Sequence, residues 1–238
     1  MGGELQSIGM AEARNALAWW LEAGVDVAIQ EEPRDWLSPA PARPRANQDA
    51  IPVPNVVEPS HETLSELQEW LASSAALPLA SATAKRILPH GPENAAVMLL
   101  SDSPSLEDLG AGQPIGGAAW EFTKKMLAAI NVSVDDAYSA SLSCFNSPGV
   151  RMSKEERAAC AEIAKRHIAL AKPKRLLLLG DGPSQALLGK PLAQARGHVH
   201  KIEGVRAVAT FHPRQLIQNN ANKSYAWKDL LLLMEDEA

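Results

Sequence analysis

His212 is the side chain of this sequence best placed to do chemistry. It follows a β-rich run that ends at Phe211 and precedes Pro213, whose fixed φ suits the opening of a helix, so its imidazole projects at a strand-to-helix turn. Asp102 occupies an equivalent point after the apolar run 96–100, with Pro104 stiffening the loop behind it. An imidazole exchanges protons near neutrality and a carboxylate accepts hydrogen bonds or offsets positive charge, so together they offer acid–base or electrostatic chemistry on a polar ligand. Taken singly, each has a plainer reading: a histidine bonded to nearby backbone, and an aspartate capping a helix.

The other candidate motifs mostly exclude. Gly110, Gly112, Gly116 and Gly117 lack the Lys-Ser/Thr of a phosphate loop, and no dinucleotide fingerprint follows a strand, which argues against nucleotide hydrolysis and hydride transfer. His198 and His200 stand two apart without cysteines or carboxylates at ligand spacing, so they read as a loop or strand pair rather than a metal site. Two cysteines, Cys144 and Cys160, are too few for a disulfide framework.

Positioning falls to alternating elements. Thr63 and Glu66 form a capping box ahead of the stripe Leu64, Leu67 and Leu71, and Ser153 with Glu156 opens a second helix that Pro173 closes. Helices are also expected over 117–130 and 224–234, and strands over 96–100, 137–142, 175–180 and 206–211. Such alternation predicts an α/β fold, a mostly parallel four-stranded sheet with helices on both faces. Ligands of such sheets bind beyond the carboxyl ends of the strands. The segments there are Ser101-Asp102-Ser103-Pro104-Ser105, Ser143-Cys144-Phe145-Asn146, Asp181-Gly182-Pro183 and Phe211-His212-Pro213-Arg214.

The 238 residues suit one large domain with an appendage, and 46% hydrophobic with 21% charged residues excludes collagen-like, coiled-coil and wholly disordered classes. Three divisions are expected: an N-terminal helical segment over 1–32, a Pro-rich linker over 33–60 and the main domain over 61–238. The first two, with Trp19 and Trp20, offer a docking site for a protein partner. No apolar run is long enough for a membrane span, and Glu4, Glu12 and Glu22 do not suit a signal peptide, so a cytoplasmic protein is expected. Charge is uneven: residues 1–149 hold 19 acidic and 8 basic residues, whereas 150–223 hold 14 basic and 5 acidic. A basic stretch inside an acidic chain is one sign of a polyanion-binding face, although solvated helix lysines are the commoner cause.

From about residue 64 to residue 233 the chain resembles the family-4 uracil-DNA glycosylases. Ser101-Asp102-Ser103-Pro104-Ser105 stands where that family has Gly-Glu-Ala-Pro-Gly, and Pro114-Ile115-Gly116-Gly117 where it has Pro-Phe-Val-Gly. Ser143-Cys144, Glu155-Glu156 and Ala158-Ala159-Cys160 are similar to its Lys-Cys and Glu-Glu-Ile-Ala-Ala-Cys segments. Lys172-Pro173-Lys174 through Gly189 resembles its central strand and helix. His212-Pro213 and Ala226-Trp227-Lys228-Asp229-Leu230 resemble its closing loop and helix.

The resemblance implies a three-layer αβα fold, a DNA substrate and excision of a flipped uracil or related base. His212 would donate to the uracil oxygen, and Asp102 would position water or offset the cationic sugar. It implies a base pocket of Ser103, Pro104, Ile115 and Ala140, and DNA contacts from Pro213, Arg214 and Gln215. The family's stacking phenylalanine becomes Ile115, its edge-reading asparagine becomes Ala140, and Gln218 replaces an arginine. Ser74 and Leu77 stand where the family has two cluster cysteines, leaving Cys144 and Cys160 as vestigial ligands. No cofactor is therefore expected.

Overall fold

A computed structural model of the chain describes residues 61–81, 84–146 and 152–235. The expected N-terminal helical segment over 1–32 and the Pro-rich linker over 33–60 lie outside the described residues. Helix α1 (Leu64–Ser73) begins at the Thr63–Glu66 capping box and buries Leu64, Leu67 and Leu71, as their spacing predicts. Strand β1 (Val97–Ser101), helix α2 (Leu106–Ala111), helix α3 (Gly117–Ala129) and strand β2 (Ala137–Ser141) follow. Next come α4 (Lys154–Ala171), β3 (Arg175–Leu179), α5 (Asp181–Leu188) and α6 (Leu192–Ala195). The chain ends in β4 (Val199–Ile202), β5 (Val205–Thr210), α7 (Pro213–Gln218) and α8 (Lys223–Met234).

The sheet has five strands in the order β2-β1-β3-β5-β4, one more than expected. The added strand, β4, is an edge strand antiparallel to β5, whereas the other pairings are parallel. Its sequence Val199-His200-Lys201-Ile202 has no apolar run, because only Ile202 is buried. In the central strands both faces are covered. Met98, Leu100, Leu176, Leu178, Ala207 and Ala209 pack on one side with Cys160, Ala164 and Ile168 of α4. Their neighbours Val97, Leu99, Leu177, Leu179 and Val208 pack on the other with Leu127 of α3 and Leu230 of α8. This odd–even division is what a sheet sandwiched between two helical layers requires, because successive side chains point to opposite faces. No helix among the described residues is long and apolar enough to cross a membrane.

The chain runs outward from β1 to its neighbour β2 and then crosses back over β1 to β3, so the direction of winding reverses beside β1. The crevice at such a reversal, beyond the carboxyl ends of β1 and β3, is where open α/β sheets place ligands.

Away from that crevice, the first core layer holds a buried polar chain. Gln68 Nε2 donates to the Tyr138 hydroxyl (3.0 Å), which is then free to donate to His167 Nε2 (2.7 Å). Burial lowers the His167 pKa to about 4. The unfolded imidazole binds its proton near pH 6.5, so stability held above that pH is lost as pH falls towards 4. This one residue is expected to contribute a loss of about 2 kcal/mol between pH 7 and pH 5. Urea midpoints of wild type and His167→Gln at the two pH values check it: the variant's pH dependence is expected to be flatter, and an unchanged slope would contradict the assignment.

Candidate active site

The register sets the frame. Leu179 of β3 is level with Thr210 of β5, and Ser101 of β1 with Ser141 of β2, so the strands end together and release Asp102, Gly180 and Phe211-His212 along one edge. Strands β1 and β5 flank β3 on either side, which puts their ends roughly 10 Å apart, two inter-strand spacings. The turn Gly180-Asp181-Gly182 spans that gap. Gly180 has φ +95°, a conformation open to glycine, and a Cβ there would lie 3.6 Å from His212 Cβ. Gly182 meets the other wall: a Cβ would lie 2.3 Å from Asp102 Cγ. The two predicted residues thus border the same glycine turn, one on each side.

Asp102 is held by backbone and by the neighbouring loop. Leu142 N–H donates to the Asp102 carbonyl (3.0 Å), and Asn146 Nδ2 donates to the Pro104 carbonyl (2.6 Å). Although Asp102 keeps an exposed edge, partial desolvation raises its carboxyl above the ordinary value; Arg157 opposes that rise and Asp181 adds to it. Arg157, from α4, bonds through its guanidinium to Gln185 Oε1. Asp181 itself is turned to structure, accepting from Leu192 N–H (2.7 Å) and from Gln185.

His212 is the N-cap of α7. Its Nδ1 accepts from Arg214 N–H (3.2 Å), and its own N–H donates to Gln215 Oε1 (3.1 Å). An accepting Nδ1 puts the proton of the neutral ring on Nε2. Nε2 has no hydrogen-bond partner among the described residues, so its N–H is free to donate. Desolvation first, then the Arg214 charge, lowers the His212 pKa to about 4, with Asp108 opposing, so the ring is a neutral donor at pH 7.

The remaining predicted residues divide. Ser103 is half-buried and Pro104 is buried. Ile115 and Ala140 are both fully enclosed, in the second and first core layers respectively, and offer no surface to a ligand. Pro213 is buried, Gln215 serves the α7 cap, and Arg214 turns inward to the carboxylate of Asp108. The arginines of the basic stretch are likewise largely committed: Arg166, Arg175, Arg196, Arg206 and Arg214 all bond to backbone carbonyls or carboxylates. Asp108 is missed by reading single motifs, although Ser105-x-x-Asp108 has the form of a capping box and forms one.

A family model described as the uracil DNA glycosylase superfamily matches residues 88–232, a span that holds all the strands found among the described residues and both borders of the glycine turn. The chain belongs to the uracil DNA glycosylase superfamily. Within it, the type-4 uracil-DNA glycosylase of Pyrobaculum aerophilum is 24% identical over 180 residues, 71% of this chain and 92% of the relative. That of Archaeoglobus fulgidus is 23% identical over 138 residues, 53% of this chain and 69% of the relative.

The donors present do not fit the iron–sulfur cluster that the family-4 resemblance brings with it. Cys144 and Cys160 line one cavity of about 20 Å³ with Leu71, Leu77, Pro78 and Phe145, room for about one water. Burial pushes the two thiols up to about 11 and about 12, so both stay protonated at neutral pH. No group of three or more His, Cys, Asp or Glu suited to a metal occurs among the described residues. Arg86 makes the tie instead: its guanidinium donates to the Leu71 carbonyl (2.6 Å) and the Ser74 carbonyl (2.7 Å) and lies 4.8 Å over the Phe145 ring.

Proposed function

We propose that this superfamily member is a DNA glycosylase that hydrolyses the N-glycosidic bond of a flipped uracil, or a related deaminated base, as the first step of base excision repair. The observation that carries this reading is the neutral His212 with a free Nε2–H, set across Gly180–Gly182 from the Asp102 carboxyl. The type-4 names of its relatives support the same substrate.

Breaking the bond leaves positive charge on the sugar C1′ and negative charge on the uracil oxygen. His212 donates to the oxygen where that charge grows, a stabilisation stronger in the transition state than in the ground state. A neutral imidazole suits the task, because its Nε2–H is already in donor form across the neutral range without taking up a proton. The Asp102 carboxylate offsets the sugar charge and orients the attacking water: the base leaves with the bonding pair of the broken C1′–N bond, the water oxygen bonds to C1′, and the carboxylate takes the proton that the water gives up. Ser103, half-buried on the Asp102 loop, borders the base, and the exposed Lys154, three residues before Arg157 on α4, is available to a backbone phosphate.

One observation favours a second reading, a DNA-binding or accessory protein with impaired catalysis: the enclosure of Ile115 and Ala140 leaves neither an aromatic face nor an amide for the base at those positions. Incubation with a single-stranded uracil oligonucleotide, followed by alkali and a denaturing gel, separates the two. Cleavage at the uracil supports the glycosylase, whereas a retarded band on a native gel without cleavage supports the binder.

Gly182→Ala sharpens the test. The new methyl displaces the Asp102 carboxyl, yet alanine in the first turn of α5 stabilises the helix by about 0.5–1 kcal/mol relative to glycine. Excision is expected to fall about 10²-fold while the melting temperature holds or rises. Equal loss of both would make Gly182 a folding requirement instead.

A further inference from the structure

We infer that Asp108 and Arg214 form a positioning pair that locks the loop carrying Asp102, the loop carrying Ile115 and the helix capped by His212 into one working arrangement. The inference rests on the glycosylase reading for what the arrangement does, and on geometry for the pair itself.

Asp108 is fully buried, and its two oxygens receive donors from three separate segments. Oδ2 accepts from Ser105 N–H (2.7 Å) and Ser105 Oγ (2.9 Å), one residue beyond Pro104. Oδ1 accepts from Gly116 N–H (2.6 Å), next to Ile115. The Arg214 guanidinium also bonds to Oδ2, from 106 residues along the chain. Helix α2 alone needs only the Ser105 cap, so the Gly116 and Arg214 bonds are surplus to local structure. The Arg214 backbone N–H bonds to His212 Nδ1, so the anchored guanidinium and the His212 ring belong to the same helical turn. Burial pushes the Asp108 carboxyl up, but its hydrogen bonds, that from Arg214 foremost, together outweigh burial and hold it below the ordinary value, so the ion pair persists at neutral pH. A 1 Å displacement of either loop is enough to cost about 10²-fold in rate.

Asp108→Ala removes the shared acceptor of the Ser105, Gly116 and Arg214 donors at once and can fail to fold, so the test uses Arg214→Met, Asp108→Asn and the double variant, each checked by thermal melt. Arg214→Met keeps the apolar stem, and its partner side chain retains the Ser105 and Gly116 bonds. For the folded variants, excision of uracil from an oligonucleotide is expected to lose about 10²-fold in kcat with KM little changed. The double variant should lose no more than the worse single one. Multiplicative losses, or a raised KM at constant kcat, would overturn the pair and make Arg214 a phosphate contact. A second readout needs no catalysis: NMR titration of His212. Arg214→Met removes a cation and is expected to raise its midpoint, and Asp108→Asn removes an anion and is expected to lower it. Unmoved midpoints would overturn the pair. Absence of excision by the wild type would overturn the glycosylase reading alone.

Discussion

Replacing His212 with alanine is expected to slow uracil excision by about 10²–10³-fold, the usual loss when one preorganised donor to a developing oxyanion is removed. The same change deletes the N-cap acceptor for Arg214 N–H and costs about 1 kcal/mol of stability. Those effects separate in His212→Asn, because asparagine caps a helix well but its shorter amide does not reach the position of Nε2. Both variants should share the rate loss, and only the alanine variant should melt early. The wild-type pH profile gives a signed companion result. With a folded pKa of about 4, the imidazole stays neutral as pH falls from 7 to 5, so no inflection is expected near 6.5 from this group. A rate that climbed through pH 6.5 on acidification would identify an imidazolium donor and contradict the assignment.

Asp229→Ala is expected to destabilise the fold by about 2–4 kcal/mol in urea unfolding, because it leaves the half-buried Arg196 guanidinium, the Gly197 N–H and the Thr210 hydroxyl without their shared acceptor. Asp229 is 1% exposed and accepts from Arg196 Nε (3.2 Å) and one of its terminal amines (2.9 Å), from Gly197 N–H (3.2 Å) and from Thr210 Oγ1 (2.8 Å). Burial raises the Asp229 carboxyl, and the Thr210 and Arg196 bonds oppose that rise. Arg196 also lies 5.0 Å from the ring centres of both Phe211 and Tyr225, so its stem and guanidinium have packing as well as charge to lose. Replacing both partners with apolar residues, as Arg196→Met with Asp229→Leu, should cost less than Asp229→Ala alone. The network ends on Thr210 and Phe211, the two residues before His212, so the stability loss should be accompanied by a loss of excision even at temperatures where the variant is folded.

Much of the architecture is legible in the sequence because burial on both faces writes continuous apolar runs. Val97–Ser101 and Arg175–Leu179 are such strands, and the capping boxes at Thr63–Glu66 and Ser153–Glu156 open the helices expected of them. Strand β4 is not, because an edge strand with one solvated side carries no such run. Its signal lies in the turn: Glu203 and Gly204 both have positive φ, the two-residue hairpin geometry that pairs β4 with β5. At the site, residue types after each strand single out Asp102 and His212, since strand ends are readable in one dimension. Gly182 beneath Asp102 and Asp108 beneath Arg214 are long-range contacts, and nothing in local pattern announces them. The basic stretch misleads in the opposite sense, for a charge count does not distinguish a guanidinium facing solvent from one bonded to Leu232 or Leu233 carbonyls, as Arg206 and Arg175 are.

The central claim is spatial: the edge between the ends of β1 and β5, floored by Gly180–Gly182, receives a pyrimidine base. A crystal of the full chain soaked with uracil tests it most directly. The account predicts planar density over the glycine turn, with a uracil carbonyl oxygen about 3 Å from His212 Nε2 and the glycosidic nitrogen turned towards Asp102. Density for uracil elsewhere on the protein, or a gap between the two side chains closed by their neighbours, would contradict it.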